Sequence, residues 1–327
     1  MQDYLLHKRA AGVYMNLKPR QLSTWEKRLQ ARREAVTICA AAINIDRDNK
    51  PIIHLVFDKQ VTFGNGAFGA DGTMWKLKRI NAKWCVMFAG EVSSLPILRE
   101  AVIDAVQYET KANFRKFSRL CAKAFRDERK EIIKTQILPD YDLESYEEYL
   151  RLKKDHRPLF DAISEKIREL ENEWSLLFAG FDELDEPHIF VITENGKIQY
   201  CDSTGFACVG SGGWPAYASL AAHPYNINLY PGEAIFALLA AKFCAEPSHG
   251  VGDTTAFLNF RPTDKLRQGT SGISQSRIEE LRDKWKALPK VPEGVVDKLT
   301  EECRAYDKAP KMTIPFRKRH RKEKSKR

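Results

Sequence analysis

Two kinds of hydrophobic pattern alternate along this chain, and their order limits the folds open to it more than any other feature. The first kind is short and strand-like. "VTICAAAINI" (36–45) and "PIIHLVFDKQVT" (51–62) flank the turn-rich "DRDNK", which predicts a hairpin. "MWKLKRI" and "KWCVMFAG" form a second pair around Asn81 and Ala82. "SLLFAGF", "HIFVIT", "KIQYCD" and "FACVGSG" follow later, with Asn-Gly in "TENGK" marking a further hairpin. "DTTAFLNF" reads as the last strand.

The second pattern is helical. Residues 95, 98, 102 and 106 of "LPILREAVIDAVQYE" recur at helical spacing. Phe114, Phe117, Leu120, Ala124 and Phe125 share one face of a long helix. Leu159, Ile163, Ile167, Leu170 and Trp174 share one face of another, and an acidic connector at 139–150 joins the two. "WPAYASLAA" and "PGEAIFALLAAKFCAE" predict a second helix pair, and "SQSRIEELRDKWKAL" a polar helix near the end. Ser23 or Thr24 caps a predicted amphipathic helix in "STWEKRLQARREA". Strands, two helices, strands, two helices and a strand imply sheets covered by helix layers. The hairpins make those sheets antiparallel. The simplest arrangement that buries every apolar face is an α+β, four-layer αββα sandwich with an extended helical insertion at about 113–175.

Composition narrows the setting. No run of 18 apolar residues exists, so no transmembrane helix is expected. The N-terminal residues lack the apolar core of a secretory signal, which points to a cytoplasmic protein. Seven cysteines are scattered without a Cys-x-x-Cys pair, and the histidines show no ligand spacing; reduced thiols and no metal or cofactor are expected. The net charge of +9 is carried by the ends: +7 in the last twelve residues and +5 in residues 1–35, leaving −3 for the body. The tail at 317–327 is either a solvated end or a contact site for nucleic acid or an acidic partner.

Thr37 opens the first strand, with 36 residues in front of it. Inside a chain, a threonine here is an ordinary β-branched strand residue. With a free α-amine it would be a nucleophile carrying its own base.

The order of segments, with particular residues, resembles the N-terminal-nucleophile (Ntn) hydrolases of the proteasome β-subunit type. "FDKQVTFGNG", "WKLKRI", "MFAGEVSS" and "FACVGSGG" are similar to that family's successive segments. "TICAAA", "LLFAGFDE" and "AKFCAEPSHGVGDTTAF" resemble a bacterial proteasome-like group that begins Met-Thr-(Val/Ile)-Cys. The resemblance spans about 36–262. It implies the Ntn hydrolase fold over 36–265, after an extension or pro-segment at 1–35 and before a helical extension and basic tail at 266–327. It also implies a site. Thr37 is the nucleophile and its freed α-amine the general base, with an ordinary pKa of about 7.7–8.0. Lys76 stabilises the charge developing on the hydroxyl, and Asp58 pairs with Lys76. The Gly90 N–H donates to the oxyanion, and Ser211 hydrogen-bonds near the α-amine. Glu246, Ser248 and Asp253 lie in the segment that supplies an auxiliary acid and serine. The implied partners are a peptide or other amide substrate and further copies of the chain, with no membrane.

Read without the resemblance, Asp58 is a turn cap, Lys76 a strand lysine, Gly90 a tight connection and "GSGG" a strand-to-helix turn or phosphate cradle. The sequence also departs from the family. Val36 stands where a glycine or an initiator methionine precedes the threonine. A one-residue shift would put Val36 in the nucleophile's place and make the protein an inactive subunit. The spacing from Asp58 to Lys76 is longer than in the family, and the extra residues fall in "GNGAFGADGTM". Three functions stay open: a threonine-type peptidase, a silent assembly subunit, and a partner-binding protein acting through the tail.

Overall fold

Strand β1 (Cys39–Ile45) is buried over all but its last residue, which the small side chains of "CAAA" permit. It lies between two antiparallel neighbours, β2 (Pro51–Asp58) and β10 (Phe206–Val209). Cys39 faces Phe57 across one ladder and Val209 across the other. The structure, a computed structural model, describes residues 37–288 except 47, 64–67, 72–75, 91–93, 172–173, 249 and 263–269. Strands β11 (Thr255–Phe260) and β12 (Thr270–Gly272) complete a five-stranded sheet in the order β10-β1-β2-β11-β12. A second antiparallel sheet runs β5-β6-β7-β8-β9, formed by Leu77–Arg79, Trp84–Ala89, Ser175–Phe181, Pro187–Thr193 and Lys197–Tyr200. A two-stranded ribbon, β3 (Gln60–Phe63) with β4 (Phe68–Asp71), stands apart.

Alternation along the strands sorts their side chains. Cys39, Ala41 and Ile43 of β1 and Ile53, Leu55 and Phe57 of β2 pack into one cluster with Cys85 and Met87 of β6, Leu177 and Ala179 of β7, and Ile189 and Val191 of β8. The two sheets therefore share an apolar core. The intervening residues of the second sheet, Trp84, Val86, Phe88, Leu176, Phe178, Phe190 and Ile192, form another cluster with two helices, α1 (Leu95–Val106) and the start of α2 (Phe114–Gln136). Trp84 stacks on Phe117 with ring centroids 4.2 Å apart. The first sheet meets α5 (Gly213–Ala222) and α6 (Pro231–Ala245). Helix α6 is buried over most of its surface, as expected for a helix apolar all round. Among the described residues, two five-stranded antiparallel sheets and seven α-helices make this an α+β fold.

Local signals explain most boundaries. Asn113 caps α2 by accepting the Lys116 N–H at 2.9 Å. Asn81 turns the β5–β6 hairpin by accepting the Lys83 and Trp84 N–H groups at 2.9 and 3.0 Å. Asn195 and Gly196 both take φ of +66° in the β8–β9 turn. A Cβ on Gly196 would stand 2.3 Å from Arg126 Cγ, so glycine is required there twice over.

Three expectations need correction. The acidic connector at 139–150 is not a plain link: it contains a 3-10 turn (Leu138–Tyr141) and the start of α3 (Tyr146–Asp155). Ser145 caps α3, with Glu147 and Glu148 in its first turn and Lys153 and Lys154 in its last, matching the helix dipole at both ends. Trp174 does not extend α4 (Arg157–Leu170); it lies beyond the helix end and packs in the core under the second sheet. The segment "GNGAFGADGTM" includes β4. A further strand, β12, carried no period-2 signal.

No described helix is long and apolar enough to cross a membrane. The described residues up to Arg282 form one compact unit. Of the second unit, Asp283–Arg327, only the last turns of α7 (Gln275–Ala287) and Leu288 are described. The helix expected at 23–35 and the basic tail lie outside the described residues.

Candidate active site

The antiparallel pairing of β1 with β2 brings the start of one strand beside the end of the other. Thr37, just ahead of β1, and Asp58, the last residue of β2, meet there and are both buried. Asp58 Oδ1 accepts three hydrogen bonds: from the Thr37 hydroxyl at 2.8 Å, the Ile38 N–H at 2.9 Å and Lys76 Nζ at 2.7 Å. Its Oδ2 accepts the Gly252 N–H at 3.3 Å. Lys76 precedes β5 and is buried as well. The Phe88 N–H of β6 donates to the Lys76 carbonyl at 3.2 Å and anchors its backbone. Lys76 Nζ also donates to Thr37 Oγ1. The hydroxyl thus lies between a carboxylate and an ammonium.

The turn after β10 closes the other side. The Thr37 N–H donates to Ser211 Oγ at 3.2 Å, and the Ser211 hydroxyl donates to the Thr37 carbonyl at 3.4 Å. The Gly212 N–H donates to the same carbonyl at 3.1 Å. Gly210 makes this approach possible. Its φ is +95°, and a Cβ there would stand 2.3 Å from the Thr37 carbonyl oxygen. A cavity of about 520 Å³ opens beside Gly210, lined in part by Tyr200, Cys208, Trp214 and Tyr217.

This arrangement suits oxygen nucleophilicity. A buried ammonium beside Thr37 Oγ1 favours negative charge on that oxygen and the Asp58 carboxylate opposes it, both acting strongly because all three side chains are buried. Burial pushes the neighbouring Cys39 thiol up to about 12, with Lys76 opposing and Asp58 reinforcing the rise. Cys39 is therefore a core thiol, not a competing nucleophile.

The remaining expected residues divide. Gly90 follows β6 with φ of +134°, a conformation that favours glycine. It lies two residues past Phe88, whose carbonyl accepts the Cys39 thiol at 3.4 Å. Glu246, Ser248 and Asp253 do not bond to Thr37, Asp58 or Lys76. Glu246 binds Lys242 at 2.5 Å and Arg282 at 2.9 Å. The Asp253 side chain is exposed, while its carbonyl accepts Lys242 Nζ at 3.1 Å. The Ser248 backbone forms the turn after α6. Lys242, Gly252 and Arg282 went unnoticed in the sequence. The available signal was Lys242, the one charged residue between Glu233 and Glu246 in the apolar stretch "PGEAIFALLAAKFCAE". No group of three or more His, Cys, Asp or Glu side chains among the described residues is placed to hold a metal.

No protein-family model matches the chain, and no curated protein matches its sequence. Among solved structures, it is similar to an Anbu (Gly-1) mutant from Hyphomicrobium sp. strain MC1. The TM-score is 0.52 at 15% identity, covering 85% of this chain and 100% of that one. At that identity the likeness is one of fold alone.

Proposed function

We propose that this chain is a threonine-nucleophile amide-bond hydrolase, a proteasome-like peptidase that acts through Thr37 once its α-amine is free. One observation carries the reading: Thr37 Oγ1 is bonded to both Asp58 and Lys76, while Thr37 N meets Ser211 Oγ. In the freed form the hydroxyl attacks the substrate carbonyl, and its proton passes to the α-amine directly or through a water. Lys76 and the Gly90 N–H stabilise the negative charge that forms. The α-amine then protonates the departing amine, leaving an ester on Thr37. Water attacks that ester, releases the acid and restores the hydroxyl. Asp58 holds Lys76, and Ser211 holds the α-amine.

In the full chain Thr37 N is a peptide nitrogen joined to Val36, so residues 1–36 must be absent from the active form. Self-cleavage is one route. The Thr37 hydroxyl attacks the Val36 carbonyl, the acyl group moves from N to O, and water releases the segment. The β-branched Val36 fits this bend poorly. The other route is translation from position 36, where a valine codon serves as a start and the initiator methionine is removed. The four-layer αββα order and assembly into a homo-oligomer through the helix faces belong to the same reading. The tail at 317–327 is read as a salt-dependent contact for nucleic acid or an acidic partner. The Val36–Thr37 peptide bond favours a second reading, a silent assembly subunit with the same fold.

N-terminal sequencing and intact mass of the protein from its native host separate the two. The hydrolase reading expects a chain beginning at Thr37 that cleaves peptides and loses this activity in Thr37→Ala. A sole species beginning at Met1 leaves the silent reading.

A further inference from the structure

Lys242 is an anomaly in α6. Its side chain is 0% exposed. A buried ammonium is tolerated when its protons are bonded and a counter-charge is close. Lys242 Nζ donates to Glu246 Oε1 at 2.5 Å, to the Gly252 carbonyl at 2.7 Å and to the Asp253 carbonyl at 3.1 Å. Glu246 is held in turn by Arg282 of α7 at 2.9 Å. Arg282 Nη2 also donates to the Asp253 carbonyl and, at 3.4 Å, to Thr255 Oγ1. The guanidinium lies over the Phe243 ring, 5.0 Å from its centroid.

These contacts converge on one loop. Lys242 fixes the carbonyl of Gly252, and the N–H of that same residue donates to Asp58 Oδ2 at 3.3 Å. Asp58 Oδ1 faces Thr37 and Lys76. We infer that Lys242, braced by Glu246 and Arg282, is a positioning residue that sets the Asp58 carboxylate and thereby the contact between Thr37 and Lys76. Helix α7 is then coupled to the candidate site although it contributes no group to it. Burial lowers the Lys242 pKa against the pull of Glu246, in keeping with a charge held by its neighbours. Part of the chain of contacts is geometric; its catalytic consequence rests on the hydrolase reading.

The experiment uses the full chain with Lys242→Met, Arg282→Ala and Arg282→Lys. Amide hydrogen exchange, read by NMR or mass spectrometry, tests the geometric part whether or not the protein is active. The Gly252 amide is expected to exchange about tenfold faster in Lys242→Met and Arg282→Ala, while amides of β7 keep their wild-type rates. Arg282→Lys, which keeps the charge on Glu246, is expected to recover part of the protection. If wild-type protein cleaves peptides, Lys242→Met should lower kcat about tenfold with KM within about twofold. Should Lys242→Met fail to fold, the two Arg282 variants decide the matter. Unchanged Gly252 exchange in the folded variants overturns the inference. So does an equal rise at Gly252 and β7, which is the mark of general destabilisation. If the variants show the Gly252 effect while protein isolated from its native host begins only at Met1 and hydrolyses no peptide, the hydrolase reading is refuted and the positioning stands.

Discussion

Asp58→Ala, Lys76→Met and the double variant give the sharpest thermodynamic test of the site. Removing the Asp58 carboxylate leaves the Lys76 ammonium buried, with its side chain 4% exposed, and takes the acceptor from the Ile38 and Gly252 N–H groups. Breaking a buried ion pair from one side costs about 3–5 kcal/mol. Each orphaned backbone N–H costs about 1–3 kcal/mol. The two terms overlap because the same loop relaxes, so about 5 kcal/mol is expected for Asp58→Ala. That is a large part of a typical total stability of about 5–15 kcal/mol. Lys76→Met should cost less, about 3 kcal/mol, the low end for a broken buried pair, because Asp58 keeps the Thr37, Ile38 and Gly252 donors. The double variant removes both charges and should fall short of the summed losses by about 2 kcal/mol or more. Urea unfolding of the full chain, with slopes checked for a common unfolded state, measures all four corners of the cycle. Additive losses, or an Asp58→Ala cost under about 1 kcal/mol, would show that the pair is not desolvated in solution.

Gly210→Ala should destabilise the fold by about 2 kcal/mol or more and displace Thr37, because φ is +95° and the new Cβ meets the Thr37 carbonyl oxygen; urea midpoints and any peptide hydrolysis report both effects. His54 is buried against Asn259, and burial lowers its pKa from 6.5 to about 4. The unfolded chain therefore takes up a proton that the folded chain refuses. Its contribution to stability is complete above pH 6.5 and is lost as pH falls toward about 4, by roughly 3 kcal/mol. His54→Gln should flatten that part of the urea-midpoint profile; an unchanged slope refutes the assignment. Cys39 and Cys85, both pushed up to about 12 by burial, should resist a thiol reagent at pH 8 until the protein unfolds.

Several elements were open to reading in the sequence because their causes are local. The Asn195-Gly196 turn needs only two residues that accept positive φ. The amphipathic faces of α2 and α4 repeat at helical spacing, and β1, β2, β6 and β7 are short, nearly continuous apolar runs buried along almost their whole length. Helix α3 escaped notice because its signals are a cap and end charges, with only Tyr149 buried, so no apolar stripe marks it. Strand β12 escaped for a related reason, since its pairing with β11 is made by backbone and not by side-chain pattern.

The sequence by itself determined the α+β class and the antiparallel hairpins, and through a resemblance it singled out Thr37, Asp58, Lys76 and Ser211, four residues linked by hydrogen bonds. Only the tertiary structure decided which distant strands lie side by side. β10 joins β1 and β11 joins β2, 160 or more residues away along the chain, and nothing in a local pattern encodes partners at that separation. Those pairings carry Ser211 to Thr37 N and the Gly252 N–H to Asp58. They also give Lys242 its role. A lone lysine in an apolar helix signals a buried charge, but its partners are two carbonyls in a loop and a glutamate shared with Arg282. Backbone carbonyls look alike in every sequence; only folding selects which of them an ammonium reaches.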